Sequence, residues 1–236
     1  MMDQATIRAK LQATGIHLLF SLLLVLVGFA LLLMWYPAWL FWSDGGIQVL
    51  WLLIGVDLVL GPLLTFVVYN PSKSVRERLL DLSLIVLIQL GAFGYGMYQA
   101  YDQRSLTTWY DKTANIALPC PYLWYRLAEQ PTVYRHPIEI VQFRSNLSAI
   151  ERDQQQRMSE LGASACVLSS QFESLTDQRA MYSNRPESRL ALLPESKRQE
   201  ISDQDRVVLF VGRYRDVLLV LNDQHKVDRY YHMPRD

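Results

Sequence analysis

The side chains with chemistry to offer are few: four histidines (His17, His136, His225, His232), two cysteines (Cys120, Cys166) and one carboxylate deep in an apolar run, Asp57. No His-x-x-x-His or His-Glu-x-x-His spacing places two imidazoles on one helical face, so no metal site is expected. Gly-x-Ser-x-Gly, Ser-x-x-Lys, Cys-x-x-Cys, Walker and Rossmann patterns are also missing. Acyl transfer, dithiol redox chemistry and nucleotide-dependent chemistry therefore lack their usual signatures. No catalytic residue and no cofactor is assigned, and the chain reads as a non-enzyme.

Asp57 is the residue that breaks a physical rule. It lies near the middle of Gly46 to Tyr69 (GIQVLWLLIGVDLVLGPLLTFVVY), a stretch long enough to cross a bilayer. A carboxylate there raises the insertion cost by about 2.5–3.5 kcal/mol, so it should face the interior of a helix bundle. Two readings stand side by side. In one, Asp57 is protonated and hydrogen-bonded to Gln89 or Thr65, tying the helices together. In the other, Asp57 and Gln89 line a groove for another transmembrane helix, with Gly91, Gly94 and Gly96 allowing close backbone approach. Gly61-Pro62, one turn after Asp57, marks a kink.

The elements that must position these residues follow from the charge distribution. Residues 1–99 carry five basic and five acidic side chains, and the remaining 137 carry eighteen of each. A charge-starved start joined to an ordinary polar stretch means a membrane domain, 1–99, followed by a water-facing domain, 100–236. Zero net charge without a basic excess argues against nucleic acid as a partner. Leu18 to Tyr36 is 19 nearly unbroken apolar residues, which at 1.5 Å per residue matches roughly the 30 Å hydrocarbon core. It ends in Trp35-Tyr36-Pro37 and Trp39, aromatics suited to the headgroup level, and not in a small-residue cleavage site, so it reads as a retained helix. Gly46 to Tyr69 and Leu82 to Tyr98 supply the second and third spans.

Arg8, Lys10, Lys73, Arg76 and Arg78 fall before the first span or between the second and third, while the loop Pro37 to Gly45 has no Lys or Arg. Basic residues in short loops resist translocation, so residues 1–14 and 70–80 are expected in the cytoplasm and 100–236 outside, in the periplasm of a Gram-negative cell. His17 then lies on the opposite side from the other three histidines.

The polar part reads as α+β. Ile116–Pro119, Tyr122–Leu127, Val133–Arg135 and Ile138–Phe143 are short β-rich runs punctuated by prolines, which suits short or edge strands. Ser148-Ala-Ile-Glu151 and Ser170-Gln-Phe-Glu173 have capping-box spacing and predict two helices, the second with Phe172, Leu175, Arg179 and Tyr182 on one face. Pro194 predicts a short helix through Ile201. Arg206–Gly212, Asp216–Leu221 and Lys226–His232 predict three closing strands of an antiparallel meander. Cys120 and Cys166 both fall in the part placed outside, where oxidation persists, so they are either joined or two buried thiols. A bond across 45 intervening residues would restrict the unfolded chain by roughly 4 kcal/mol on the chain-entropy model.

Several segments resemble a known group. Gly15-Ile-His-Leu-Leu, Trp35-Tyr36-Pro37, Gly45-Gly46, Gly55-Val-Asp57-Leu-Val-Leu-Gly61-Pro62-Leu-Leu-Thr65, Asn70-Pro71-Ser-Lys73, Asp81-Leu and Gln89-Leu are similar in order and spacing to the amino-terminal half of type IV pilin accessory proteins of the TfpX/TfpZ group. The closing Val211-Gly-Arg-Tyr-Arg-Asp-Val-Leu-Leu-Val-Leu-Asn resembles that group's final hairpin, and the match fades between Arg104 and about Ser202. The resemblance implies a chaperone-like helper in the bacterial inner membrane for type IV pilus biogenesis, with a pilin and membrane lipid as partners. A membrane-anchored sensor and a small membrane transferase or protease are the alternatives. A sensor would need a partner, because the cytoplasmic segments are too short for an output domain, and an enzyme would need a nucleophile or acid/base pair that the sequence does not assemble.

Overall fold

The computed structural model describes residues 3–111, 116–121, 140–160, 164–175, 186–224 and 226–234. Helix α1 (Gln4–Trp35) is followed by a single turn, α2 (Leu40–Ser43), and then by a second long helix built from three parts. These are α3 (Gly46–Leu53), a π-helical stretch (Ile54–Leu60) and α4 (Gly61–Val68). Helix α5 (Val75–Gln103) follows. Three helices, Gln4–Trp35, Gly46–Val68 and Val75–Gln103, are long and apolar enough to cross a membrane. By their contacts the residues form two units: Met1–Met34 with Gly46–Tyr101, and Trp35–Gly45 with Asp102–Asp236. The sequence division at residue 99 leaves the loop after α1 with the helices, yet its contacts are with the sheet.

Within the helical unit, α1 is apolar on every side from Leu18 onward, so hydrophobicity does not choose its buried face there. The buried seam is Ser21, Val25, Gly28 and Leu32, in which Ser21 and Gly28 are small. A Cβ added at Gly28 would come within 2.8 Å of Leu53 Cδ1 and 3.1 Å of Phe93, so glycine allows this approach with both side chains as they stand. Helix α5 begins where Ser74 and Glu77 bond reciprocally, with the Ser74 N–H donating to Glu77 Oε2 at 2.9 Å and the Glu77 N–H to Ser74 Oγ at 3.3 Å.

The second unit holds a seven-stranded mixed sheet: β1 (Ser105–Asp111), β2 (Ile116–Pro121), β3 (Ile140–Phe143), β4 (Phe172–Ser174), β5 (Arg206–Phe210), β6 (Val217–Leu221) and β7 (Val227–His232). Spatial order is β4-β3-β1-β2-β5-β6-β7. The last three strands form the expected meander, while β1 with β3 and β2 with β5 are parallel pairs. Pro119 sits in β2 without breaking its ladder with β1. Val211 N–H donates to the Ala117 carbonyl on the β5 side, and backbone groups alternate along a strand, so the N–H that Pro119 lacks would also face away from β1.

Helix α6 (Ala149–Glu160) starts at the Ser148–Glu151 capping box, closed by bonds of 2.8 and 3.2 Å. Single turns α7 (Glu187–Leu190) and α8 (Glu195–Arg198) follow, the latter capped by Pro194 and ending before Ile201. The helix expected from Ser170 does not form over the described residues 170–175. Residues Ala165–Gln171 form a 3-10 turn and the chain then enters β4, because Phe172 pairs with Phe143 and buries beside the cysteines. The expected strands Tyr122–Leu127 and Val133–Arg135, and residues Arg179 and Tyr182, lie outside the described residues. Cys120 and Cys166 are joined, their Cα atoms 5.5 Å apart, within a cluster of Leu106, Val141 and Phe172.

Every residue of β5 and β6 is buried, which explains runs such as VLLVL that do not alternate. One face (Val207, Leu209, Leu218, Val220, Tyr231) packs on Leu190, Leu193 and Ile201. On the other face, Trp39 from the loop after α1 meets Phe210 and Tyr230 with ring centroids 6.2 and 6.1 Å apart. Tyr36, Trp39, Leu40 and Phe41 are all buried. The loop is stitched to the turn after β5 by a bond from the Tyr214 N–H to the Ser43 carbonyl, and a Cβ on Gly212 would strike Ser43.

Asp44 ends this loop, fully buried, accepting a 2.6 Å hydrogen bond from Ser105 Oγ with Arg213 Nε at 3.9 Å. Burial pushes its carboxyl up from 3.8 to about 6, outweighing the opposite pull of Ser105 and Arg213. The fold therefore favours the protonated acid. The stability this contributes is complete below about pH 4 and is lost as pH rises through 6, a swing of about 3 kcal/mol. We predict that the wild type gains stability relative to Asp44→Asn when the pH falls from 7 to 4.5. Paired thermal melts of the full chain check this, and parallel pH profiles would contradict it.

Candidate functional site

Chemistry-bearing side chains converge inside the helical unit, and Pro62 is the starting point. A proline ring clashes with the carbonyl four residues earlier, Leu58, and provides no N–H. The helix answers by widening into the π stretch 54–60, in which the Gly61 N–H reaches back to the Val56 carbonyl. The backbone at Gly61 stays helical (φ −62°, ψ −55°), so the disturbance marked by Gly61-Pro62 takes the form of a wide turn. The Asp57 carbonyl is left without a backbone donor, since Gly61 is engaged and Pro62 has none. Gln89 of α5 fills the gap, its Nε2 donating to that carbonyl at 3.5 Å.

Gly61 makes this possible. A Cβ there would overlap the Gln89 amide, so glycine is the seat on which the amide rests. The Gln89 Oε1 atom is 2.7 Å from His17 Nε2, and His17 Nδ1 is 2.7 Å from Thr65 Oγ1. An amide oxygen only accepts, so Nε2 donates to it, and Nδ1 shares a hydrogen bond with the Thr65 hydroxyl. One polar chain thus ties all three spans: Thr65 to His17 to Gln89 to the Asp57 backbone. Lys10 of α1 adds a further tie, donating to the Phe66 and Val67 carbonyls at 3.1 and 3.3 Å at the end of α4.

The sequence singled out Asp57, Gln89 and Thr65 but set His17 aside, although His17 stands one helical turn before Ser21 on the buried seam. Asp57 itself is 1% exposed, and neither carboxyl oxygen has a hydrogen-bond partner among the described residues. Gln89 meets its backbone and Thr65 meets His17, so the expected bonds from these two to the carboxyl are not formed.

Beside the cluster runs a cavity of about 510 Å³ between α1 and α5. Phe20, Leu24 and Val27 form one wall, Val86 and Leu90 the other, and His17, Ser21 and Gln89 supply its polar atoms. Gly94 lies one turn beyond Leu90 on the same helical row. Gly91 and Gly94 are exposed, and a Cβ on either would meet nothing within 4 Å, so the close approach they permit is unused among the described residues. Among the described residues no group of three or more His, Cys, Asp or Glu could hold a metal ion.

The chain is 42% identical over 92 residues to the fimbrial assembly protein of Dichelobacter nodosus serogroups C1 and C2, covering 39% of this chain and 70% of that relative. The chain belongs to the fimbrial assembly protein family. The same identity over 92 residues holds for the serogroup I and serogroup E1 proteins of that organism, where the match spans only 36% of the relative's length. No protein-family model matches the chain, and no solved structure does.

For this fimbrial assembly family member, Gly61 and Gln89 should behave as one unit. Gly61→Ala is expected to lower the melting temperature of the detergent-solubilised protein, at a cost of about 1–3 kcal/mol from overpacking. Gln89→Ala removes the obstructing amide, so the double variant should lose less than the sum of the singles. Additive losses in the double-mutant cycle would show that the amide does not rest on Gly61.

Proposed function

We propose that the protein is a non-enzymatic accessory factor of type IV pilus biogenesis, of the TfpX/TfpZ kind, which holds the apolar helix of a cognate pilin in the bilayer before or during fibre assembly. The groove between α1 and α5 carries this reading. It is apolar along its walls, large enough for rows of side chains, and continued by Gly94 on a helix face with no partner among the described residues. Association between helices in lipid depends on close packing and interhelical hydrogen bonds more than on hydrophobicity, so open glycines beside polar His17 and Gln89 are the residue types a docking face uses. The names of the relatives support the fimbrial setting.

In this reading Gln89, Gly91 and Gly94 face the pilin helix, while Asp57 acts behind them, holding the π stretch and the carbonyl that positions Gln89. The protein sits in the inner membrane with its amino terminus in the cytoplasm and the sheet unit in the periplasm. Alkaline phosphatase fused after Asp102 should be active and after Lys73 inactive, and the reverse would refute this topology.

Loss of the protein should reduce surface pili while leaving pilin synthesis intact. Photocrosslinkers at positions 90 and 94 should capture the pilin's apolar helix, whereas one at position 51, exposed on the second span, should not. Capture only from the sheet unit would move the contact out of the bilayer, and normal piliation without any capture would end the proposal.

A further inference from the structure

The sheet unit carries an aromatic outcrop that its core does not explain. Trp42 stacks edge-on to His232 at 6.3 Å, and Tyr230 lies 5.5 Å from His232. Trp42, Tyr214 and Tyr230 remain 45%, 48% and 38% exposed. Tyr230 and His232 alternate on one face of β7, opposite Tyr231, which turns into the core. Arg213 and Arg215 flank Tyr214. Among the described residues β7 is the sheet edge, paired only with β6.

Covalent structure says what lies near this outcrop. Trp42 stands four residues before Gly46, where the second membrane-length helix begins. Four residues span at most about 14 Å when fully extended. Residues Leu40–Ser43 form a helical turn, so the true separation along the chain is shorter. The polar layer on each side of a bilayer is roughly 5–8 Å deep. Trp42 is therefore tethered at the membrane surface, and the rings packed on it are held there too.

We propose that Trp42, Tyr214, Tyr230 and His232 form a lipid-contacting rim that seats the edge of the sheet unit in the headgroup layer. Rings with an apolar body and a polar tip are suited to that layer, and the adjacent arginines suit lipid phosphates. The occupant is lipid and not protein because the tether brings lipid to this surface whether or not a partner is present.

The test uses the full chain in nanodiscs of phosphatidylethanolamine and phosphatidylglycerol containing lipid with a nitroxide on its headgroup. An NBD fluorophore is placed on Tyr230→Cys, Tyr214→Cys or, as a distant reference on α6, Gln156→Cys. Labelling without reductant spares the Cys120–Cys166 bond. Both rim positions should be quenched at least twofold more than position 156. Two independent rim sites guard against one substitution disturbing the Trp39 packing. Quenching at both rim sites no greater than at 156 would overturn the proposal and leave the outcrop for a protein partner.

Discussion

A carbonyl that has lost its donor inside an apolar bundle governs the helical unit. Hydrocarbon offers no water to satisfy it, so the chain must find a donor or bear a cost of several kcal/mol. Pro62 creates the vacancy, the π stretch distributes the strain over seven residues, and Gln89 answers from another span. Each answer imposes the next condition: the amide needs the bare surface of Gly61, and its oxygen needs the proton on His17, whose second nitrogen needs Thr65. The register of three helices is fixed by this sequence of obligations, which uniform apolar packing does not specify.

The sheet unit depends on a comparable borrowing. Strands β5 and β6 are apolar on both faces, and flanking segments of their own region cover only one of them. The other is covered by Trp39 and its neighbours, a short loop that belongs in sequence to the helices. The carboxyl of Asp44 is buried as part of that arrangement, which is why its affinity for a proton rises.

The sequence made the repeating and local features legible. The three spans follow from length and hydropathy, α6 from the Ser148–Glu151 spacing, and the closing strands from their β-branched runs. What escaped was set by distant partners. Ser170–Glu173 has the same capping pattern as Ser148–Glu151, yet Phe172 pairs with Phe143 in the sheet and packs in the cluster around the disulfide. Gly28 proved to be a tight contact, hidden in a run where every neighbour is apolar, while Gly91 and Gly94 pack against nothing among the described residues. Trp39 was read as a headgroup aromatic because the span beside it dominates the local pattern. Asp57 drew attention through its carboxyl, although the atom that Gln89 engages is its backbone oxygen.

The loop that completes the sheet also sets a timetable. Residues near 40 leave the ribosome long before β5 to β7 exist, so Trp39 and Leu40 have no surface to cover until the last described strands arrive. Contacts so remote in sequence are slow to close. During synthesis the apolar loop must wait unpaired, and a chain interrupted before Arg206 would retain its three apolar helices while exposing a sticky, unfinished segment, the kind of species that quality-control proteases remove.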